Sequence, residues 1–317
     1  MSLSNKDDIQ VSVCVVTYNQ ENYIAECLES LVTQQTSFKF EIIVGEDCST
    51  DGTRAIVQQY VEQYPDLVIP LFHENNVGAV ENVKLVYKAA KGKYIAHMDG
   101  DDMALPNKLQ RQFDILESNL DCVICAHNMV LFNKHGNFIG NDYIFHIEKK
   151  YSLFDLYIIH TLFRHSSKMF INNIDNYIDS VNGNMLDIEL HAIQAEYGNI
   201  YLISDTLGGY RENVGVTFKG EFMNQIIIER VSKLYKSVDQ SKFTVSQNKK
   251  IQKKFSTLLL SYAYLCAKTI QDEKMFVGFV RESLQVYKIT FYQIIFILAI
   301  ISPKLFFRIL SLKIARL

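Results

Sequence analysis

The chain has 317 residues, 48% of them hydrophobic and 12% aromatic with no Trp, and its 32 Lys+Arg against 35 Asp+Glu leave a formal net charge of −3. Such a composition supports a packed core and excludes a disordered or fibrous chain. Near-balanced charge argues against a protein built to grip a polyanion, so no nucleic-acid partner is expected.

The length allows one large α/β domain with an appendage, or two ordinary domains. The polar start, MSLSNKDDIQ, leads directly into a strand-like run, and no secretory signal is expected. From Val11 to Ala126 short apolar runs alternate with amphipathic segments, the pattern of βα units feeding a mostly parallel sheet. Strands are predicted at 11–16, 41–44, 67–72, 94–98 and 122–126, with helices at 22–33, 53–64, 80–91 and 107–119. The strands are mostly apolar rather than alternating, as strands covered on both faces are. Asp51 and Pro106 stand near two of the helix starts.

After Ala126 the rhythm changes to a predicted hairpin of 128–132 and 138–145, then to short mixed elements up to a loop near Gly215. Helices follow at 222–237, 248–271 and 274–287, with one or two more after Thr290. A boundary near residue 218 is predicted, separating an α/β domain over 1–218 from a helical region over 219–317. The six cysteines show no regular framework and several sit in apolar runs, as reduced thiols of a cytoplasmic protein do. The longest apolar stretch, 289–302, contains Tyr292 and Gln293 and stops at Pro303, short of the ~18–20 residues that span a bilayer.

Three predicted strands end in polar residues. Asp99-Gly100-Asp101-Asp102 closes one of them, at the place where an open α/β sheet binds ligands. Asp99 and Asp101 are two apart and point to one side of an extended segment. Clustered carboxylates repel unless a cation lies between them, and hard oxygen ligands suit Mg²⁺ or Mn²⁺ shared with substrate phosphates. The alternative is an acidic turn that caps the next helix. Glu46 and Asp47 follow another strand and call for solvent or a donor such as a nucleobase imide or a ribose hydroxyl. Thr17, Tyr18 and Asn19 end the first. If these strands are neighbours, Thr17, Asp47 and Asp99 line one nucleotide-sized crevice. Neither a Gly-x-Gly-x-x-Gly turn after the first strand nor a Gly-Lys-Ser/Thr loop occurs, so a dinucleotide fingerprint and a P-loop are unsupported.

Val15-Val16-Thr17-Tyr18-Asn19, Glu46-Asp47-Cys48-Ser49-Thr50-Asp51-Gly52-Thr53, Asn76-x-Gly78-x-x-x-Asn82, Gly92-Lys93-Tyr94-Ile95-Ala96 and Asp99-Gly100-Asp101-Asp102 occur in that order. This ordered set, within residues 10–215, resembles the family 2 glycosyltransferases, inverting nucleotide-sugar enzymes of the GT-A fold. The resemblance implies a Rossmann-like, mostly parallel central sheet flanked by helices in a catalytic domain over 1–218, followed by a helical C-terminal appendage. It also implies a donor site in which Thr17, Asn19 and Asp47 hold the nucleoside, with Tyr18, Glu46, Asn82 and Asp102 beside them. Asp99 would contact the ribose or the metal's water shell, and Asp101 would coordinate Mn²⁺ or Mg²⁺ on the diphosphate. UDP is the carrier the resemblance favours, and the acceptor is a glycan or a polyprenyl-linked sugar, as for bacterial surface-polysaccharide transferases.

The family also has a catalytic acid opening a later helix, and Asp187 matches that position, with Glu189 as its rival and an N-cap role as its bland alternative. Arg211, in a Tyr-Arg loop like the family's, is either a phosphate contact or a structural ion pair. Asn213 stands where many relatives carry a His. His97, His127, His160 and His165 read as packing or surface residues, His160 or His165 alone being candidates to approach the acceptor. Toward the end, Phe306, Phe307, Leu310, Ile314 and Leu317 share one helical face against Lys304, Arg308, Lys313 and Arg316. This basic amphipathic pattern suits a membrane surface on the cytoplasmic side, or docking on the catalytic domain or a second subunit. Competing assignments are a nucleotidyltransferase, which would want a Gly-rich basic loop after the first strand, and a non-catalytic nucleotide-sugar-binding protein, which would lack the base.

Overall fold

A computed structural model describes residues 8–142, 147–181, 183, 185–212, 214, 225–288 and 291–304. The chain divides into two compact units, Met1–Leu156 with Thr161–Phe218, and Tyr157–His160 with Lys219–Leu317. Elements run β1 (Ile9–Thr17), α1 (Ile24–Val32), β2 (Lys39–Glu46), α2 (Thr53–Gln63), β3 (Val68–Phe72), α3 (Ala79–Ala89), β4 (Tyr94–Asp99), β5 (Met103–Ala104), α4 (Lys108–Ser118), β6 (Cys122–Phe132), β7 (Phe138–Asp142) and β8 (Lys149–Tyr151). They continue with α5 (Leu153–Ile159), β9 (Met169–Ile171), α6 (Asp187–Ala195), β10 (Asn199–Arg211), α7 (Gln225–Lys236), α8 (Val245–Thr269), α9 (Glu273–Val286) and α10 (Phe291–Ile301).

The first unit is the expected α/β architecture. Its sheet has the order β3-β2-β1-β4-β9-β6-β10-β5, with β7 paired to β6 and β8 to β10. β1, β2, β3 and β4 are parallel neighbours. The chain steps outward from β1 to β3, and α3 then carries it back to the other side of β1. That reversal opens a crevice at the carboxyl ends of β1 and β4. Both faces of these strands are covered, so Val11, Val13, Val15, Ile42, Val44 and Met98 form one core with Leu28, Leu31, Val57 and Leu109 of the helices. Each such side chain contributes about 1.5–3 kcal/mol on burial. α1 presents Ile24, Cys27, Leu28 and Leu31 at helical spacing to that core.

Beyond β4 the structure corrects the predicted strands. β9 lies antiparallel between β4 and β6, and at three residues it is too short to carry a periodic signal. The predicted break between 126 and 128 is absent, because His127 stays buried in a continuous β6. Its Nδ1 bonds the Asn128 carbonyl at 2.8 Å and its Nε2 meets Lys108 Nζ at 3.1 Å, so a polar side chain is accommodated without ending the strand. β7 pairs with β6 as the predicted hairpin, and residues 143–146 lie outside the described residues.

The second unit is helical. Thr244 and Gln247 form a capping box at the start of α8, and Asp272 accepts from the Met275 N–H at 2.8 Å at the start of α9. Ile228, Leu260, Ala263, Cys266, Phe276, Val280 and Ala299 form its core. α10, which carries most of the apolar 289–302 stretch, buries Gln293 completely. The Gln293 amide nitrogen lies 3.0 Å from Ser256 Oγ, 3.0 Å from the Ser283 carbonyl and 2.6 Å from the Tyr287 carbonyl. Those bonds dock α10 on α8 and α9. No helix among the described residues is long and apolar enough to cross a membrane. The predicted basic amphipathic pattern from 305 onward lies outside them.

Candidate active site

The three polar strand ends come together. Thr17 pairs with Glu46 across β1 and β2, and Val16 pairs with Asp99 across β1 and β4. Thr17 Oγ1 donates to Gln20 Oε1 at 2.8 Å. A Cβ on Gly100 would stand 2.5 Å from Gln20 Oε1 and 2.9 Å from Thr17 Oγ1, so glycine is what lets the acidic turn lie directly on the end of β1. Exposed Asn19, at a left-handed φ of 52°, accepts from the Thr50 N–H at 2.8 Å. Half-buried Tyr18 stands beside it.

Asp47 is 2% exposed, and its two carboxylate oxygens accept from the Val77 and Gly78 N–H groups at 2.7 and 2.9 Å. It pins the 76–78 loop and keeps further lone pairs for a ligand. Glu46 and Asn82, expected on the donor, have partners inside the protein. Glu46 accepts from the Ser49 N–H at 2.6 Å and pairs with Arg54. Asn82 donates to the Gly45 carbonyl at 2.8 Å and meets His73 Nε2 at 3.0 Å. Arg211 forms an ion pair. Its guanidinium lies 4.7 Å above the Tyr23 ring, pairs with Glu26 and donates to the Asp101 carbonyl at 3.1 Å, while its N–H donates to Asp102 at 2.9 Å. It braces the acidic turn. Asn213 lies outside the described residues.

The carboxylates of that turn differ in their surroundings. Burial opposes the charge of Asp99, but hydrogen bonds from His97 at 3.2 Å and Ser166 at 3.0 Å, with Lys168 nearby, hold its carboxyl below the usual carboxylate range. Burial and the neighbouring Asp99 charge push Asp101 up to about 7. Burial, with Asp101 and Asp99, holds Asp102 well above the usual carboxylate range, and its Oδ2 finds no hydrogen-bond partner among the described residues. Two fully buried lysines balance this charge. Lys108 donates to the Ser166 carbonyl at 2.5 Å, and Lys168 to Gln194 at 3.1 Å. Burial lowers each to about 7, against the pull of Asp102 on Lys108 and of Asp187 and Asp99 on Lys168. Neither lysine was singled out in the sequence, since only the sheet order brings them under the turn.

On the other side Asp187 opens α6 with its side chain 67% exposed. Glu189, its rival, turns back to accept from the Leu186 N–H at 2.8 Å as a cap. Burial of the surroundings and the Asp99 charge push Asp187 up to about 6, with Lys168 opposing. Between Asp99 and Asp187 stand three buried imidazoles, His97, His165 and His191. His127 meets Lys108, and His160 of the second unit lies beside Tyr235. No group of three or more His, Cys, Asp or Glu among the described residues is disposed to hold a metal. A cation between Asp99 and Asp101 would take its remaining ligands from phosphate and water, as Mg²⁺ usually does.

Residues 12–173 match the family model described as glycosyl transferase family 2. The chain belongs to that family. It is 36% identical over 127 residues to an uncharacterized protein of Mycobacterium tuberculosis, covering 40% of this chain and 37% of the relative. It is 37% identical over 106 residues to TuaG of Bacillus subtilis, whose name assigns it to teichuronic acid biosynthesis as a glycosyltransferase, covering 33% of this chain and 41% of TuaG. The chain thus spans less than half the length of these relatives. Among solved structures it resembles residues 1–349 of S. aureus TarS in complex with UDP-GlcNAc, at a TM-score of 0.65 and 19% identity over 88% of this chain and 82% of that one. That likeness makes the first unit a GT-A fold.

Proposed function

We propose that this family 2 member moves a sugar from a nucleotide diphosphate sugar to a hydroxyl of a glycan or lipid-linked acceptor, with inversion at the anomeric carbon. The observation that carries the reading is the convergence of Asp99 and Asp101 at the β1/β4 crevice with Asp187, which His97 and His165 connect to Asp99 through successive contacts of 3.2, 3.8 and 3.9 Å. Thr17, Tyr18, Asn19 and Asp47 frame the nucleoside, and the TarS complex with UDP-GlcNAc supports a UDP-sugar. The name of TuaG, which assigns it to teichuronic acid biosynthesis, supports a polysaccharide as product.

Asp101 and Asp99 fit a divalent ion, because each offers hard oxygen and their mutual repulsion is relieved by a cation. When bound, Mn²⁺ or Mg²⁺ supplies Lewis-acid neutralisation of the leaving diphosphate. Asp187 accepts the proton of the acceptor hydroxyl as the acceptor oxygen bonds to the anomeric carbon. The bond from that carbon to the phosphate oxygen breaks, and its electron pair leaves with the nucleoside diphosphate. The transition state is related to that of glycoside hydrolysis, and no enzyme nucleophile is needed.

A thermal-shift screen of nucleotide diphosphates and nucleotide sugars, with and without Mn²⁺, tests the donor reading. Ligand that binds the native state raises its stability, so one nucleotide is expected to give a metal-dependent upward shift. No shift with any of them overturns the donor site.

A further inference from the structure

Sequence position scatters the histidines, whereas the fold gathers three of them into one buried column. His97 on β4 is fully buried; its Nδ1 meets Tyr87 Oη at 3.0 Å and its Nε2 meets Asp99 Oδ1 at 3.2 Å. Its ring lies 3.8 Å, centroid to centroid, from that of His165. His165 Nδ1 lies 3.1 Å from His191 Nε2 and 3.9 Å from Asp187 Oδ1. His191, 4% exposed, packs its ring 4.3 Å from Phe163. The column therefore reaches from the donor-side carboxylate to the acid that opens α6.

We propose that His165 is a positioning residue for Asp187, presenting an Nδ1–H that orients the base carboxylate while His191 and His97 fix the imidazole from either side. This rests on the reading of Asp187 as base. The tautomer follows from the neighbours. A lone pair on Nδ1 would face the Asp187 carboxylate unfavourably, whereas an N–H there is shared, donated to His191 Nε2 at 3.1 Å and attracted to the carboxylate at 3.9 Å as the longer arm of a three-centre contact. Burial lowers the pKa of His165 and His191, which keeps these two imidazoles neutral. Neutrality matters for a base. An imidazolium beside Asp187 would stabilise its charge and weaken it as a proton acceptor, while a neutral N–H orients it and leaves its basicity in place. At 3.9 Å the contact is too long for a hydrogen bond, and a small turn of the exposed Asp187 side chain closes it, as catalytic contacts tighten when substrate binds.

The test uses the full chain carrying ¹⁵N-histidine. Long-range ¹H–¹⁵N spectra are expected to report His165 as the neutral Nδ1–H tautomer, with its Nδ1 signal displaced in Asp187→Asn. An Nε2–H tautomer, or a signal indifferent to Asp187→Asn, overturns the proposal, and neither outcome depends on turnover. Activity is read as UDP release from UDP-GlcNAc with Mn²⁺, water serving as the acceptor. His165→Leu is expected to lower kcat about tenfold or more with UDP binding unchanged, and His165→Asn, whose amide N–H reaches the place of Nδ1, to restore most of it. In an Asp187→Asn background His165→Leu should cost nothing further; an additive loss marks mere packing and overturns the role. Should His165→Leu not fold, His191→Gln, which keeps an acceptor near Nε2, is expected to retain activity where His191→Leu loses it. If Asp187→Asn is inactive while every His165 variant turns over normally, the positioning role fails and the base reading stands. If Asp187→Asn keeps full activity, the base reading fails, and the tautomer spectra still decide whether His165 serves that carboxylate.

Discussion

At the scale of single residues, the acidic side chains that the sequence singles out are sorted by what surrounds them. Asp187 is open to solvent, while Glu189 is spent on a helix cap. A base must be unprotonated to act, and the protein packed around the start of α6, with the Asp99 charge, has moved Asp187 up to about 6 although its side chain reaches solvent, against Lys168. Turnover is therefore expected to rise with pH through about 6 and to level off above it. The pH–rate profile checks this, and a rate already constant from pH 5 upward would contradict it. Asp187→Asn is expected to lose at least about 10²-fold in turnover while melting at a temperature close to that of the parent protein. Asp187 is reached only through the family resemblance, whereas Asp47, Asp99 and Asp101 could be found from sequence because they follow apolar strands. Lys108, Lys168 and the histidine column could not, since each lies in an ordinary amphipathic or apolar context and acquires its partner from a distant segment. Arg211 shows the opposite limit, with its position legible but its partners, Glu26 and Tyr23, set by tertiary structure.

At the scale of elements, the crevice depends on how closely α3 lies on β2. Gly45 makes that approach possible, because a Cβ there would fall 2.1 Å from Asn82 Oδ1. Asn82 in turn ties the Gly45 carbonyl to His73. Gly45→Ala must displace the amide, so a loss of about 1–3 kcal/mol is expected from overpacking alone. Denaturant melts check it through a lower midpoint at unchanged slope; an unchanged midpoint would mean that the bridge carries no stability. The βα rhythm through β4 was legible because each strand is a covered apolar run and each helix an amphipathic one. β5, β8 and β9 were not, being two or three residues long, and the continuity of β6 was hidden by a histidine whose partner is on α4.

At the scale of the whole molecule, the 317 residues resolve into an α/β unit that carries the candidate site and a helical unit with a core of its own. The apolar stretch near the C-terminus contributes to that second core through α10. Gln293 serves Ser256, Ser283 and Tyr287 from a fully buried position. Gln293→Ala removes the amide donor from the Tyr287 and Ser283 carbonyls, while the Ser283 carbonyl keeps the Tyr287 N–H and the two serine hydroxyls keep each other, and a loss of about 1–3 kcal/mol is expected, read as a lower melting temperature of the full chain.

With α10 accounted for by packing, an affinity for lipid would have to come from the basic and apolar residues that follow it. Arg308, Lys313 and Arg316 stand among Phe306, Phe307, Leu310 and Ile314 in that sequence. Each cation near an anionic bilayer is worth about 1 kcal/mol. The triple substitution of Arg308, Lys313 and Arg316 by Glu is therefore expected to abolish co-sedimentation with anionic vesicles, while the Gln293 network and the melting temperature are preserved. Neutral vesicles should bind the parent chain far more weakly than anionic ones. Sedimentation of the triple variant at the parent level would remove the membrane from the proposal and leave a soluble glycan as the acceptor to pursue.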